Sequence, residues 1–288
     1  MRLAYNTNGL AHHDLIAAID LLTTIGYQGI GITLDHGVLN PFESHFEDQL
    51  GRVSESLAEN GLECVIETGA RYLLNPRVKH EPTLVSPEPA ARARRVDFLR
   101  QAIDIASQLD ARCVSLWSGI VHDGAGQPAA FDRLIESLVP VLAHADAKSM
   151  DLAFEPEPGM LVDTLAAYNQ LVTRLESGGV NTDRLGLTID VGHLHCLQEL
   201  PISSKIRESA TQLANVHIED MNAGIHEHLM FGEGQIDFPP VIAALAEIRY
   251  DGLLSVELSR HSHEGPLAAQ KAYDFLRPMI DSVTTKST

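Results

Sequence analysis

The sequence predicts an α/β chain folded as a single (β/α)8 TIM barrel over residues 1–288. Three observations point there. Short apolar runs alternate with amphipathic helical stretches along the whole chain. Eight such units of about 36 residues fill its 288 positions, matching the repeat of that fold. Several runs end in a carboxylate or a histidine, at the strand end where such barrels assemble active sites.

The elements follow in order. The first strand is 3–6, and the helix 14–25 sets Leu15, Ile16, Ile19 and Leu22 on one face before Gly26 ends it. Strand 29–34 leads to helix 43–60, closed by Gly61. Strand 63–67 is followed by the longest irregular stretch, 70–86, at the face where long loops often act as lids. Helix 87–109 opens on Pro-Glu-Pro, a helix-start signal. Strands 113–117, 151–155, 185–190, 214–218 and 253–258 precede helices 130–149, 163–177, 202–213, 239–248 and 266–284. Continuous apolar runs of this length suit parallel strands buried on both faces. A doubly wound open sheet is the rival, but no GxGxxG follows the first strand.

Composition narrows the function. Apolar residues make up 44%, as in ordinary globular proteins. With 21 basic and 39 acidic residues the net charge is −18, which argues against a nucleic-acid partner. Met1-Arg2 is not followed by a signal-peptide apolar region, and no run approaches the roughly 18 apolar residues of a membrane span. Cys64, Cys113 and Cys196 are far apart and odd in number, so they read as small buried residues in a reducing, cytoplasmic compartment. Homo-oligomerisation is left open.

Four consecutive strands end in a metal-ligand type: Glu155, Asp190, His217 and Glu257. Any one alone reads as a helix cap or a structural histidine. Together they point into one small volume, where three unpaired carboxylates would repel strongly. A divalent cation is the simplest compensation. An oxygen-rich set with one imidazole favours Mn2+, then Mg2+ or Co2+, with Zn2+ as the remaining choice. Glu155 and Glu257 also form a candidate acid–base pair, expected to approach from opposite sides of the barrel.

Other polar residues fall on the same face. His193 lies three residues beyond Asp190. His226 and His228 are two apart in Gly-Ile-His-Glu-His, so on an extended segment they point the same way, toward substrate or, with His193, a second metal. Glu67, Arg71 and Trp117 follow the third and fourth strands and are candidate substrate contacts, Trp117 as an apolar wall for a sugar ring. Arg71, Arg77 and Lys79 could hold one phosphate, but no Gly-rich cradle follows the last two strands. The Gly232-Glu233-Gly234 turn could approach a ligand closely.

These motifs resemble the xylose isomerase-like barrel superfamily, of the sugar phosphate isomerase/epimerase type, over nearly the whole chain. They are Phe-Glu-Pro at 154–156, Ile-Asp-Val-Gly-His at 189–193, Val-His-Ile-Glu-Asp at 216–220, Gly-Glu-Gly-Gln-Ile-Asp-Phe at 232–238 and Ser-Val-Glu-Leu at 255–258. The resemblance implies that Glu155, Asp190, His217 and Glu257 bind one metal, that the two glutamates move the proton, and that His193 contacts substrate. It also implies a carbohydrate-like small-molecule substrate that reacts through an enediolate. The ketose epimerases of this group carry an arginine shortly after the residue matching His217, and Met221 to Gly224 offer none. Dehydratases of inososes or dehydroshikimate, and enzymes cleaving oxidised glycosides, share the pattern and form the alternative. Type IV endonucleases share most of it too, and the acidic charge argues against them.

Overall fold

The computed structural model describes residues 1–284. Its barrel strands are β1 (Arg2–Asn6), β2 (Gly29–Thr33), β3 (Glu63–Glu67), β4 (Val114–Leu116), β5 (Leu152–Phe154), β6 (Leu185–Asp190), β7 (Leu213–Ile218) and β10 (Leu253–Val256). They pair in parallel and close in the ring order β1, β10, β7, β6, β5, β4, β3, β2. A separate antiparallel hairpin, β8 (Asp220–Asn222) with β9 (Ile225–Leu229), follows β7. The helices are α1 (Leu15–Ile25), α2 (Phe46–Asn60), α3 (Pro89–Gln108), α4 (Gln127–Lys148), α5 (Leu165–Ser177), α6 (Val191–Cys196), α7 (Ile202–Glu208), α8 (Phe238–Glu247) and α9 (Gly265–Thr284).

Local chemistry sets the boundaries. Asp14 caps α1 by accepting from the Ile16 amide at 3.0 Å, and Gly26 ends it in left-handed backbone at φ 113. Pro89 opens α3 at its first position, where no amide is needed. The helix expected over 202–213 stops at Glu208. A helix running to 213 would leave no chain to reverse into β7, and the Gln212 amide instead bonds to the Ser209 carbonyl in a turn. The hairpin and the short α6 were not expected as elements.

The inside of the barrel explains where the chemistry falls. Ala4, Val65, Cys113, Ala153 and Leu253 form one small apolar cluster, four from different strands and Cys113 from the position just before β4. Side chains of a strand alternate between faces, so the inward positions recur every two residues. Two residues farther along come Glu67, Ser115, Glu155 and Ser255, and two beyond Ser255 comes Glu257. The Ser115 and Thr188 hydroxyls meet across the interior at 3.4 Å. The β6–β7 pairing slips by one residue, with Leu187 opposite Leu213 but Thr188 opposite Asn215. This bulge sets Asp190 opposite His217, and bulges commonly re-aim side chains beside sites. The larger core lies between the sheet and the helices.

Cys64, Cys113 and Cys196 are free and buried. Among the described residues no helix is long and apolar enough to cross a membrane.

Candidate metal centre and active site

Glu155 and Glu257 stand one residue past β5 and β10, and their amides extend the sheet by bonding to the Leu116 carbonyl (2.8 Å) and the Ile218 carbonyl (3.2 Å). Asp190 ends β6 and caps α6: its Oδ1 accepts from the His193 amide at 2.9 Å. His217 lies within β7 and is 1% exposed. One ligand atom from each of the four lies within 4.8 Å of the others. His217 Nδ1 is 3.1 Å from Glu155 Oε1 and 3.0 Å from Glu257 Oε2. The sequence placed the two glutamates on opposite sides of the barrel. Their strands are instead three places apart in the ring of eight, and their carboxylates converge on one point.

Two of these candidate ligands are held from behind. His217 Nε2 lies 2.9 Å from Glu67 Oε1, with Asn215 Nδ2 alongside at 3.1 Å. The Glu67 contact favours a proton on Nε2 and leaves the Nδ1 lone pair toward Glu155 and Glu257. Glu257 accepts from Asn8 Nδ2 at 2.8 Å and from Asn6 Nδ2 at 3.4 Å.

The electrostatics call for positive charge. Burial pushes the Glu155 carboxyl up to about 7, helped by the charges of Glu257 and Asp190 and opposed by His217. Burial also works against charge on Glu257, but His217 outweighs it and holds that carboxyl below its ordinary range. For His217, burial disfavours protonation, yet Glu67, Glu155 and Glu257 together raise it well above an ordinary imidazole. The chain's own answer to the carboxylates is thus a proton on a buried histidine. A divalent cation suits the same place better: the donor set is three carboxylates and an imidazole, and Asp190 Oδ2 is buried with no hydrogen-bond partner among the described residues.

A second cluster adjoins the first. Asp220 accepts from the amides of Met221, Gly232, Gly234 and Ile236, at 2.9, 2.8, 2.9 and 3.1 Å. The Gly-Glu-Gly turn therefore closes on Asp220 rather than on a ligand, and it fixes the hairpin whose strand β9 carries His226 and His228. His226 Nε2 is 3.1 Å from His193 Nε2, and the rings of His226 and His228 lie 5.4 Å apart. His193 Nδ1 donates to the Pro156 carbonyl at 3.3 Å, and burial lowers its imidazole to about 4. Glu157 lies 3.6 Å from His226 and 3.8 Å from His193. Glu219 is fully buried beside Asp190, and burial, then that charge, raises its carboxyl well above the ordinary range.

A cavity of about 600 Å³ opens over these groups. Glu67, Glu155, His217, Glu257, His226 and His228 line it, while His193 stands behind His226. Trp117 forms an apolar wall with Ile120 and Met160. Its ring is fixed by the buried Arg95 guanidinium, 4.5 Å away, which donates to the Thr68 carbonyl at 2.7 Å. Arg71 and Lys79 reach the rim, where Arg71 is paired with Asp35 at 3.5 Å. Sequence reasoning did not single out Asn6, Asn8, Arg95, Glu157 or Glu219. Glu157, two residues past Glu155, and Glu219, two past His217, carried a signal: each shares the strand phase of a candidate ligand.

A closed barrel that gathers two glutamates, an aspartate and a histidine at its C-terminal mouth, beneath a cavity of small-molecule size, defines a barrel enzyme with its chemistry among clustered carboxylates. The chain belongs to the xylose isomerase-like TIM barrel family, which it matches over residues 19–279. It is 26% identical over 239 residues to an uncharacterised protein of Methanocaldococcus jannaschii, covering 75% of this chain and 76% of that one. It is 22% identical over 263 residues to the L-ribulose-5-phosphate 3-epimerase UlaE of Escherichia coli K12, covering 90% and 87%. Among solved structures, a D-tagatose 3-epimerase-like protein superposes over 100% of both chains with TM-score 0.79 at 19% identity. An IolI protein with a zinc atom superposes over 98% of this chain and 99% of its own, with TM-score 0.75 at 16% identity. Likeness at these identities establishes the fold.

Proposed function

We propose that the enzyme is an isomerase or epimerase of a sugar or polyol-derived carbonyl compound. It would work with one divalent cation, Mn2+ by preference, held by Glu155, Asp190, His217 and Glu257. The observation that carries this reading is the convergence of those four donors within 4.8 Å, with Glu155 and Glu257 flanking His217 Nδ1. The names of the relatives, an L-ribulose-5-phosphate 3-epimerase and a D-tagatose 3-epimerase-like protein, support the substrate class. The zinc in the IolI structure supports a divalent ion.

When bound, the cation polarises the substrate carbonyl and so acidifies the neighbouring C–H. Glu257 takes that proton. Asn6 and Asn8 donate to its two oxygens, which favours the charged, basic form. Glu155 returns a proton. Trp117, Ile120 and Met160 pack against the carbon skeleton and help exclude water. The three buried cysteines suit a reducing cytoplasm.

Two of the three cations at the rim already have partners, Arg71 with Asp35 and Arg260 with Glu227, and only Lys79 stands without an ion pair among the described residues. Unphosphorylated substrates are therefore expected to turn over better than their phosphates, and the reverse preference would contradict this. The test of the class is a panel of ketoses and keto-polyols, incubated with Mn2+-loaded protein and analysed by mass. A product of unchanged mass supports an isomerase or epimerase. Loss of one water from the substrate replaces that reading with a dehydratase.

A further inference from the structure

We propose that His80 is a further substrate-contacting residue, whose imidazole Nε2 accepts a hydroxyl of the sugar as the sugar's carbon face lies along Trp117. This rests on reading the cavity as that of a sugar isomerase or epimerase. The loop after β3 turns back at His80. The His80 amide bonds to the Arg71 carbonyl at 2.6 Å, which closes residues 71–80 on themselves, and its backbone is left-handed at φ 67. Residues with side chains seldom take that region, and those that do cluster where a loop meets a ligand. The ring is fixed as well. Nδ1 lies 2.7 Å from the Gly69 carbonyl. A carbonyl only accepts, so Nδ1 carries the proton and Nε2 keeps a lone pair. Nε2 has no hydrogen bond or ion pair among the described residues, and His80 lines the cavity.

The surroundings keep that lone pair available. Burial lowers the imidazole to about 4; the Gly69 carbonyl opposes this, while Lys79, Arg95 and Arg71 add to it. The imidazole meets Trp117 edge to face, with ring centres 5.5 Å apart and planes at 86°. Trp117 is held in turn by Arg95, which is 0% exposed and stands 4.5 Å from the indole. An apolar ring face beside a neutral acceptor suits a sugar: C–H groups pack on the indole while a neighbouring hydroxyl donates to Nε2. His80 is not among the residues that converge on the proposed cation, so it reads a hydroxyl outside the reacting carbons.

The probes are D-tagatose and D-fructose, then the other ketoses of the panel, assayed with Mn2+-loaded protein. The one turned over fastest is repeated as its deoxy analogues beyond the reacting carbons. His80→Asn keeps a donor for Gly69 and tolerates left-handed backbone, but it leaves nothing at the Nε2 position. KM in this variant is expected to rise roughly 3- to 10-fold with kcat little changed, as for one hydrogen bond made alike in the ground and transition states. His80→Gln can place an oxygen near the Nε2 position and should recover most of the loss. One deoxy analogue should carry the same KM penalty in wild type and no further penalty in His80→Asn. An unchanged KM in His80→Asn, or penalties that add for every analogue, overturns the inference and leaves the sugar reading standing. Turnover of no member of the panel overturns that reading and this inference with it. Nitrogen NMR of the wild-type histidines decides the matter even if a variant fails to fold: neutral His80 protonated at Nδ1 supports the inference, and protonation at Nε2 overturns it.

Discussion

Strand β3 carries a glutamate at each end, and the barrel treats the two differently. Glu63, at the N-terminal end, is paired with Arg112 at 2.6 Å and Arg2 at 3.1 Å, and Arg112 also reaches Asp251 at 3.5 Å. Glu67, at the C-terminal end, is buried and meets His217 Nε2 at 2.9 Å. The contrast holds for the whole barrel. At the mouth, Glu155, Glu157, Asp190, Glu219 and Glu257 form no ion pair with arginine or lysine among the described residues; their ionisable nitrogen neighbours are histidines. Acids at the base are satisfied by the chain itself. Those at the mouth have only histidines beside them, which leaves a place for the proposed divalent cation.

Removing a donor at the mouth should have the largest effect. Glu155→Gln or His217→Ala is expected to weaken Mn2+ binding by more than about 100-fold, beyond the cost of losing a supporting partner. Elemental analysis after dialysis reads this directly, and full occupancy in either variant would erase the contrast between the two ends. Chelation of the wild type should also lower its melting temperature, because an ion bound only by the folded state stabilises it. An unchanged melting temperature in protein shown to have lost metal would break the account.

A smaller effect is expected one layer down. Glu67→Gln keeps the size of the side chain but weakens its hold on His217 Nε2. Mn2+ affinity should fall by about 10- to 100-fold, measured by calorimetric titration. Unchanged affinity would mean that the Glu67 contact does not orient the imidazole. The smallest effect belongs to the base. Arg112→Ala breaks partly exposed pairs, so the urea midpoint should report a loss of about 1 kcal/mol or less, with Mn2+ affinity unchanged. A large loss of affinity there would show that the two ends are coupled.

The candidate ligands at the mouth were legible because the inward side of a strand repeats every two residues, and a polar residue in that phase at a strand end stands out. Glu155, Asp190, His217 and Glu257 satisfy this, and so does the pair His226 and His228 once β9 is extended. The groups that support them carry no such pattern. Asn6 and Asn8 reach Glu257 across about 250 positions of sequence, through ring closure of β1 on β10. Arg95 reads as an ordinary helix charge until packing lays it over Trp117. Asp220 reads as one more carboxylate after β7. Only the folded loop shows its two oxygens spent on backbone amides. Glu155 and Glu257 stand on strands three places apart in the ring of eight, and the narrow barrel brings their carboxylates to one point rather than setting them face to face across it.

The central claim is that the glutamates at the mouth move a substrate proton, with Glu257 as the base. The direct test is solvent deuterium incorporation at the carbon beside the carbonyl of a ketose that wild type turns over, followed by nuclear magnetic resonance. Metal-loaded wild type should exchange that proton. Glu257→Gln, with its bound metal verified, should exchange it slower by about 10²- to 10⁴-fold, the range of a lost general base. Wild-type-like exchange in metal-loaded Glu257→Gln would contradict the claim and move the base to another residue, with His228 the first to mutate.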